Sequence, residues 1–243
     1  MAIRSPEPAV ALTDLVIGVE AAAFAVHVAV ARRRRRGPRP AGSVAESTRW
    51  FTVFFASTSV AALAGAALHG LVPAAAARSG RRRLWRVSLG SIGVAALSAW
   101  CLGAAIALPE RIARRARRTA ILAHAAYLVA LVRTNPPYSV AIATYLPGSL
   151  ALGLALVSRI GDGTVRGPAV SALAGLGLTL VAAAAQLRRL AVHPRLFDHN
   201  ATYHTIQAVA LVCFLRAARG FAAAGEPASA APVIPAGAGS SPG

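Results

Sequence analysis

The chain has 243 residues, a formal net charge of +18 and a mean hydropathy of +0.57; 56% of it is hydrophobic and 14% charged. Soluble domains carry about 25% charged residues, so the missing charge and the long apolar runs exclude an ordinary soluble enzyme and fit a single membrane domain. All 26 basic residues are Arg, which excludes retinal, whose Schiff base needs a Lys; with no recognisable nucleic-acid-binding module beside the charge, DNA and RNA are excluded too.

Residues 1–9 form a short N-terminal segment. A spanning helix takes about 20 mostly apolar residues, and the first such stretch, 10–30, contains Asp14 and Glu20 and is followed by the run Arg32 to Arg36. That order describes a retained helix rather than a cleaved signal. Glu20 sits about 9 Å deeper than Asp14 at 1.5 Å per residue. A carboxylate at such depth costs about 2.5 to 3.5 kcal/mol, so a partner is expected to offset it.

The second stretch, 50–72, places Thr58, Ala62, Gly65 and His69 on one stripe, and the third, 85–108, does the same with Ser88, Ser91, Ala95 and Ser98. Small residues on a stripe let helices approach closely in lipid, and close packing is the expectation for them. Trp50 and Trp85 stand at the starts of these segments, where indoles favour the interface. The fourth stretch, 119–133, is short and stops at Asn135-Pro136-Pro137, since a double proline cannot continue a helix. The fifth, sixth and seventh cover 139–158, 168–187 and 201–219. Cys101 and Cys213 lie inside apolar segments and read as small buried hydrophobes.

The expectation is an all-α, seven-helix membrane bundle over 10–221, followed by a disordered Ala/Pro/Gly/Ser tail over 222–243. With the N-terminus outside and the C-terminus in the cytoplasm, sixteen Arg fall inside and ten outside, which favours that orientation. The Arg-rich loops are expected to meet anionic lipid headgroups.

Seven crossings bring Asp14, Glu20, His69, Asp198, His199, Asn200, His204 and Gln207 into one half of the membrane, whichever face is outside. Asn200, His204 and Gln207 are spaced four and three and share a helix face. His199 lies about 140° from His204 on a regular helix, so the two can meet one ligand only if His199 precedes the first turn, with Asp198 or Asn200 as the N-cap. Three neutral imidazoles and a water make an open zinc site of the kind that hydrolyses carbonyl compounds. His69, His199 and His204 are the candidate ligands; Asp14, Glu20 and Asn200 are the candidate catalytic residues, Asp14 or Glu20 as base or imidazole orienter, with Gln207 in the same pocket. The same residues also fit a hydrogen-bonded histidine cluster tying three helices together.

Leu12-Thr13-Asp14, the run Gly65-Ala66-Ala67-Leu68-His69-Gly70, and His199-Asn200 with Tyr203-His204 and Gln207 resemble an uncharacterised bacterial seven-helix family. That family is in turn distantly similar to the superfamily of alkaline ceramidases and adiponectin-type receptors. The resemblance, over about residues 10–219, implies a seven-helix bundle with zinc on His69, His199 and His204, hydrolysing a lipid amide. The chain departs from the superfamily in the five-residue spacing of His199 and His204, in Gly65 where a Ser stands, and in lacking an acid over 84–108. The functional expectation is a metal-dependent hydrolase of a lipid amide or ester; a proton-coupled transporter or channel subunit, and a non-catalytic scaffold or receptor-like protein, stand beside it.

Overall fold

The computed structural model describes residues 7–34, 43–71, 78–134, 136–194 and 196–224, and these are almost wholly helical. The helices are α1 (Pro8–Arg34), α2 (Ser43–Ala66), α3 (Arg78–Ala107), α4 (Glu110–Arg133), α5 (Tyr138–Val157), α6 (Arg166–Leu187) and α7 (His199–Ala224). One π-helical turn, Ala67–Leu71, extends α2. Prolines respect this order. Pro8 opens α1, and Pro109 and Pro137 immediately precede α4 and α5, where a missing N–H costs nothing.

Six of the helices are long and apolar enough to cross a membrane. The exception is α4, whose first nine residues, Glu110 to Arg118, include five Arg. Its apolar part is the short stretch already visible in the sequence.

The helices run alternately up and down. Phe24 of α1 packs edge-on against Phe55 of α2, and Ser59 of α2 donates to the Gly18 carbonyl at 2.7 Å. On one side α6 and α7 pair from Gln186 with Asn200 to Pro168 beside Gly220. By contrast, α3 and α5 are parallel: Trp85 meets Tyr138 at one end, and Arg159 donates to the Ile106 carbonyl at the other. A Cβ on Gly148 would come within 2.8 Å of the Ala96 carbonyl, so only glycine allows α5 this close to α3.

Two parallel neighbours need a return path, and α4 supplies it. It lies antiparallel on α3, with the Tyr127 hydroxyl donating to the Leu89 carbonyl at 3.0 Å and Leu131 packed on Leu89. Its first turns reach the start of α2, where Arg117 pairs with Glu46 and Glu110. At its far end Trp85 donates to the Pro136 carbonyl and Arg86 to that of Thr134.

The starts of α1, α3, α5 and α7 therefore share one end of the bundle with the ends of α2 and α6. Toward the other end Phe24, Phe51, Phe54, Phe55, Phe214 and Phe221 interlock in stacked and edge-on pairs. Each edge-on or offset pair adds about 0.5 to 1.5 kcal/mol beyond its burial. This aromatic block closes the bundle there.

Several boundaries move. α2 starts at Ser43 rather than at residue 50, and α7 runs to Ala224. Phe221 and Ala222 are buried, Phe221 stacking on Phe51 at 6.3 Å, so residues 222–224 belong to the bundle rather than to the tail. Packing extends a helix past its last strongly apolar residue, which periodicity alone cannot foresee. Residues 1–6, 35–42 with the Gly37-Pro38-Arg39-Pro40 connector, and the tail from 225 lie outside the described residues.

Candidate functional site

Asp14 is the buried acid of α1, 6% exposed, and it faces His204 of α7, with Oδ1 at 3.3 Å from Nε2. The other ring nitrogen, Nδ1, lies 3.1 Å from Thr13 Oγ1. Thr13 gives its own hydrogen to the Ala9 carbonyl at 2.9 Å, so its oxygen accepts from Nδ1–H. That assignment leaves Nε2 and the Asp14 carboxyl to hold one mobile proton between them. Either the acid donates to the ring or the ring donates to the carboxylate, and both forms are satisfied. The expected partner of the buried carboxylate is thus a histidine six helices away in sequence order.

Gly65 of α2 makes the room. A Cβ there would stand 2.6 Å from Asp14 Oδ2 and 3.0 Å from its Cγ. The stripe Thr58, Ala62, Gly65 and His69, expected to be a packing seam, also lines the cavity described below.

His69 sits in the π turn, and its Nδ1 is 3.0 Å from Glu7 Oε2. The Glu7 amide also donates to the His69 carbonyl at 3.4 Å, so the start of α1 and the end of α2 are tied at both backbone and side chain. Asp198 caps α7: its Oδ1 accepts from the amides of Asn200 and Ala201, each at 3.0 Å. His199 is consequently the first helical residue, and it points away from His204 by the ordinary helical angle. It does not line the cavity, and neither does Glu20, whose Oε2 is buried without a hydrogen-bond partner among the described residues.

Asn200 and Gln207 do line it. Asn200 Oδ1 accepts from Gln186 at 2.6 Å; Gln207 accepts from Thr179 and donates to the Tyr203 hydroxyl, both at 3.1 Å. Tyr203 also lies edge-on against His204. Sequence reasoning missed Glu7, Gln186 and Thr179 as members of this network. Gln186 was the findable one, as the lone amide ending an apolar helix.

These groups form one end of a cavity of about 1980 Å³ among α1, α2, α3, α5, α6 and α7. Small-molecule pockets are typically about 300 to 1,000 Å³, so this one is of lipid size. Phe54, Leu211 and Phe214 lie at its apolar end. Its wall between α5 and α6 is incomplete. Leu150, Leu154 and Leu180 line it and are 57%, 74% and 54% exposed. Beside it α5 and α6 touch only sparsely.

Both ring nitrogens of His204 are engaged, by Thr13 and Asp14, and His69 Nδ1 is engaged by Glu7. With His199 outside the lining, the described residues do not gather three metal-binding side chains. As arranged, the set fits a hydrogen-bonded proton pair better than a tetrahedral metal.

The model of a family of unknown function, DUF6962, matches residues 9–223. The chain belongs to this family. The matched range takes in all seven helices and every residue of the network except Glu7. No curated protein matches the chain, and no solved structure matches it.

Proposed function

We propose that the protein is a seven-span membrane protein that admits a lipid-like amphiphile sideways between α5 and α6 and presents its polar end to the Asp14–His204 pair, where an ester or amide is hydrolysed. The observation that carries this reading is one continuous cavity, with exposed leucines on one wall and a buried acid–base pair at its polar end. In this chemistry the Asp14 carboxylate takes a proton from water as the water oxygen attacks the carbonyl carbon. It then returns the proton to the departing oxygen or nitrogen. His204, held by Thr13, positions that carboxylate through Oδ1. Purified protein should retain a bound amphiphile detectable by mass spectrometry. It should also release free acid from long-chain ester or amide substrates. Retention of no amphiphile, together with no turnover of either substrate type, would end the proposal.

A metal reading keeps one specific support: His69 and His204 line the same cavity, and each has a carboxylate at hand. On that reading protein purified without chelator carries about one zinc per chain. His69→Ala or His204→Ala loses it, while His124→Ala, on α4, keeps it. Metal-free protein that still turns over substrate decides for the proton pair.

The seven-span count is supported by the parallel pairing of α3 with α5, which leaves α4 to return across the bundle. The Arg bias supports an outside N-terminus. In a background lacking Cys101 and Cys213, Thr134→Cys should react with an impermeant thiol reagent in intact cells. Gly42→Cys and Gly239→Cys should both stay unlabelled. Opposite behaviour of the last two would remove α4 from the spans.

A further inference from the structure

At the end of the bundle opposite Asp14 and His204, α4 carries a basic stripe that the cavity does not use. Arg111, Arg115 and Arg118 are spaced four and three, so they lie within about 60° of one another around the helix. All three are exposed, and none has a hydrogen-bond or ion-pair partner among the described residues. Leu122 and Val129 continue the stripe and are 71% and 52% exposed. α4 turns its other face to the bundle, burying Ala113 and Leu131.

The three guanidiniums start at different depths. Ala107 ends α3 and Glu110 begins α4, which runs back antiparallel along α3. Arg111, Arg115 and Arg118 are therefore about 1.5, 7.5 and 12 Å in from the start of α4, at 1.5 Å per residue. Residues 100–107 of α3, a helix apolar enough to span, bring no charge alongside them. The headgroup layer on each side of a bilayer is about 5 to 7 Å thick, from about 30 Å of hydrocarbon in a total of about 40 to 45 Å. With the start of α4 at the outer edge of that layer, the stripe crosses it and Arg118 is rooted below it. A long Arg side chain reaches back up to phosphate level, and a cation rooted there is costly without an anion beside it.

The described acids at this end do not supply that anion. Glu110 pairs with Arg114 and Arg117, and Glu46 with Arg117. Asp162 accepts from Thr164 within its own turn. The α1–α2 connector, 35–42, has Arg as its only charged residue type, and a second copy of the chain would bring more of the same charge.

Independently of the hydrolysis proposed above, we infer that Arg111, Arg115 and Arg118 bind the head of an anionic phospholipid of that leaflet, whose acyl chains run down α4 over Leu122 and Val129. Guanidiniums form paired, charge-assisted hydrogen bonds with phosphate oxygens, and a lipid carries those oxygens to the depth that Arg118 reaches.

The test is equilibrium binding to the full chain in neutral detergent, using phosphatidylglycerol, phosphatidylcholine with the same acyl chains, and inorganic phosphate alone. Phosphatidylglycerol should bind at least about tenfold tighter than phosphatidylcholine, whose choline neutralises the same phosphodiester; tenfold is the worth of roughly one charge-assisted bond. Arg111→Gln, Arg115→Gln and Arg118→Gln together should bring it down to the phosphatidylcholine level. Arg118→Gln alone should already narrow the preference, and it decides the matter if the triple variant does not fold. Arg32→Gln, Arg33→Gln and Arg34→Gln remove the same charge from α1 at the same end and should leave the preference intact. Equal binding of the two lipids overturns the inference. So does a preference that survives the α4 substitutions, or one that the α1 substitutions abolish equally. Displacement of phosphatidylglycerol by inorganic phosphate at equal concentration would make this a free-anion site and also overturns it. A preference that appears only after truncation behind Ala224 would put the tail and its Glu226 on this face, and overturns it too. Each of these outcomes leaves turnover at Asp14 and His204 untouched.

Discussion

Replacing Gly65 by valine is expected to dismantle the candidate site and much of the bundle's stability. The first added carbon alone would lie 2.6 Å from Asp14 Oδ2, a distance that real Cβ atoms do not adopt. Asp14 is held on α1, which packs tightly along α2, so neither helix can step back cheaply. Overpacking costs about 1 to 3 kcal/mol, and pushing Asp14 off His204 leaves buried polar groups unpaired at about 1 to 3 kcal/mol more. For a chain of this size each kcal/mol shifts the melting temperature by about 2 to 4 °C, so a fall of roughly 5 to 20 °C is expected in detergent. Gly65→Ala should show a smaller fall in the same direction. Gly153→Ala is the control: it also lines the cavity, but its nearest neighbour, Leu176 Cδ1, is 3.8 Å from the new carbon. A valine variant that melts with the wild type would mean that α1 and α2 do not approach as described.

The second large effect separates the stability of the acid–base pair from its chemistry. Asp14→Asn keeps the shape, and its amide can donate to His204 Nε2 where the carboxyl now sits 3.3 Å away. The fold should survive, with a melting temperature close to the wild-type value. An amide does not exchange a proton, so turnover of the ester or amide should drop by about 10²- to 10⁴-fold, the usual worth of a positioned acid–base group. Asp14→Ala removes the partner as well, stranding Nε2 of a histidine whose side chain is 15% exposed. That variant should lose both turnover and several degrees of stability. His204→Ala combined with Asp14→Ala should cost less than the two single effects added together, because the residues contact each other. Full activity in Asp14→Asn would leave the pair a structural tie between α1 and α7 and nothing more.

Much of the architecture was legible. Apolar runs broken by Arg clusters and prolines located every helix, because in a membrane each spanning segment must satisfy its own backbone and so declares itself locally. Alternation of direction then put Asp14, His69 and His204 at one end without any knowledge of packing. α4 was the weak member in sequence, and it is the helix that fails the apolarity needed to span. The reason is the same five arginines near its start.

The site was legible as a set of residues but not as pairs. Counting along the chain placed three histidines in one leaflet, and a shared metal was a reasonable sum of them. On α7 Asp198 takes the cap and commits His199 to the first turn, about 140° from His204. Glu20 shares the leaflet and the helix with Asp14, yet it stays out of the cavity, because six residues turn it about 120° away from Asp14 on α1.

By itself the sequence determined an all-helical membrane chain and the end of it that holds the polar groups, since hydropathy and spacing are local properties of the chain. Only the tertiary structure decided that Asp14 faces His204 and His69 faces Glu7, that Gly65 is an empty place kept for a carboxylate, and that α5 and α6 meet only sparsely beside a large cavity. Those outcomes depend on how far apart neighbouring helices stand and how each is rotated about its axis. Both are set by side chains meeting across helices, which no run of a single segment records.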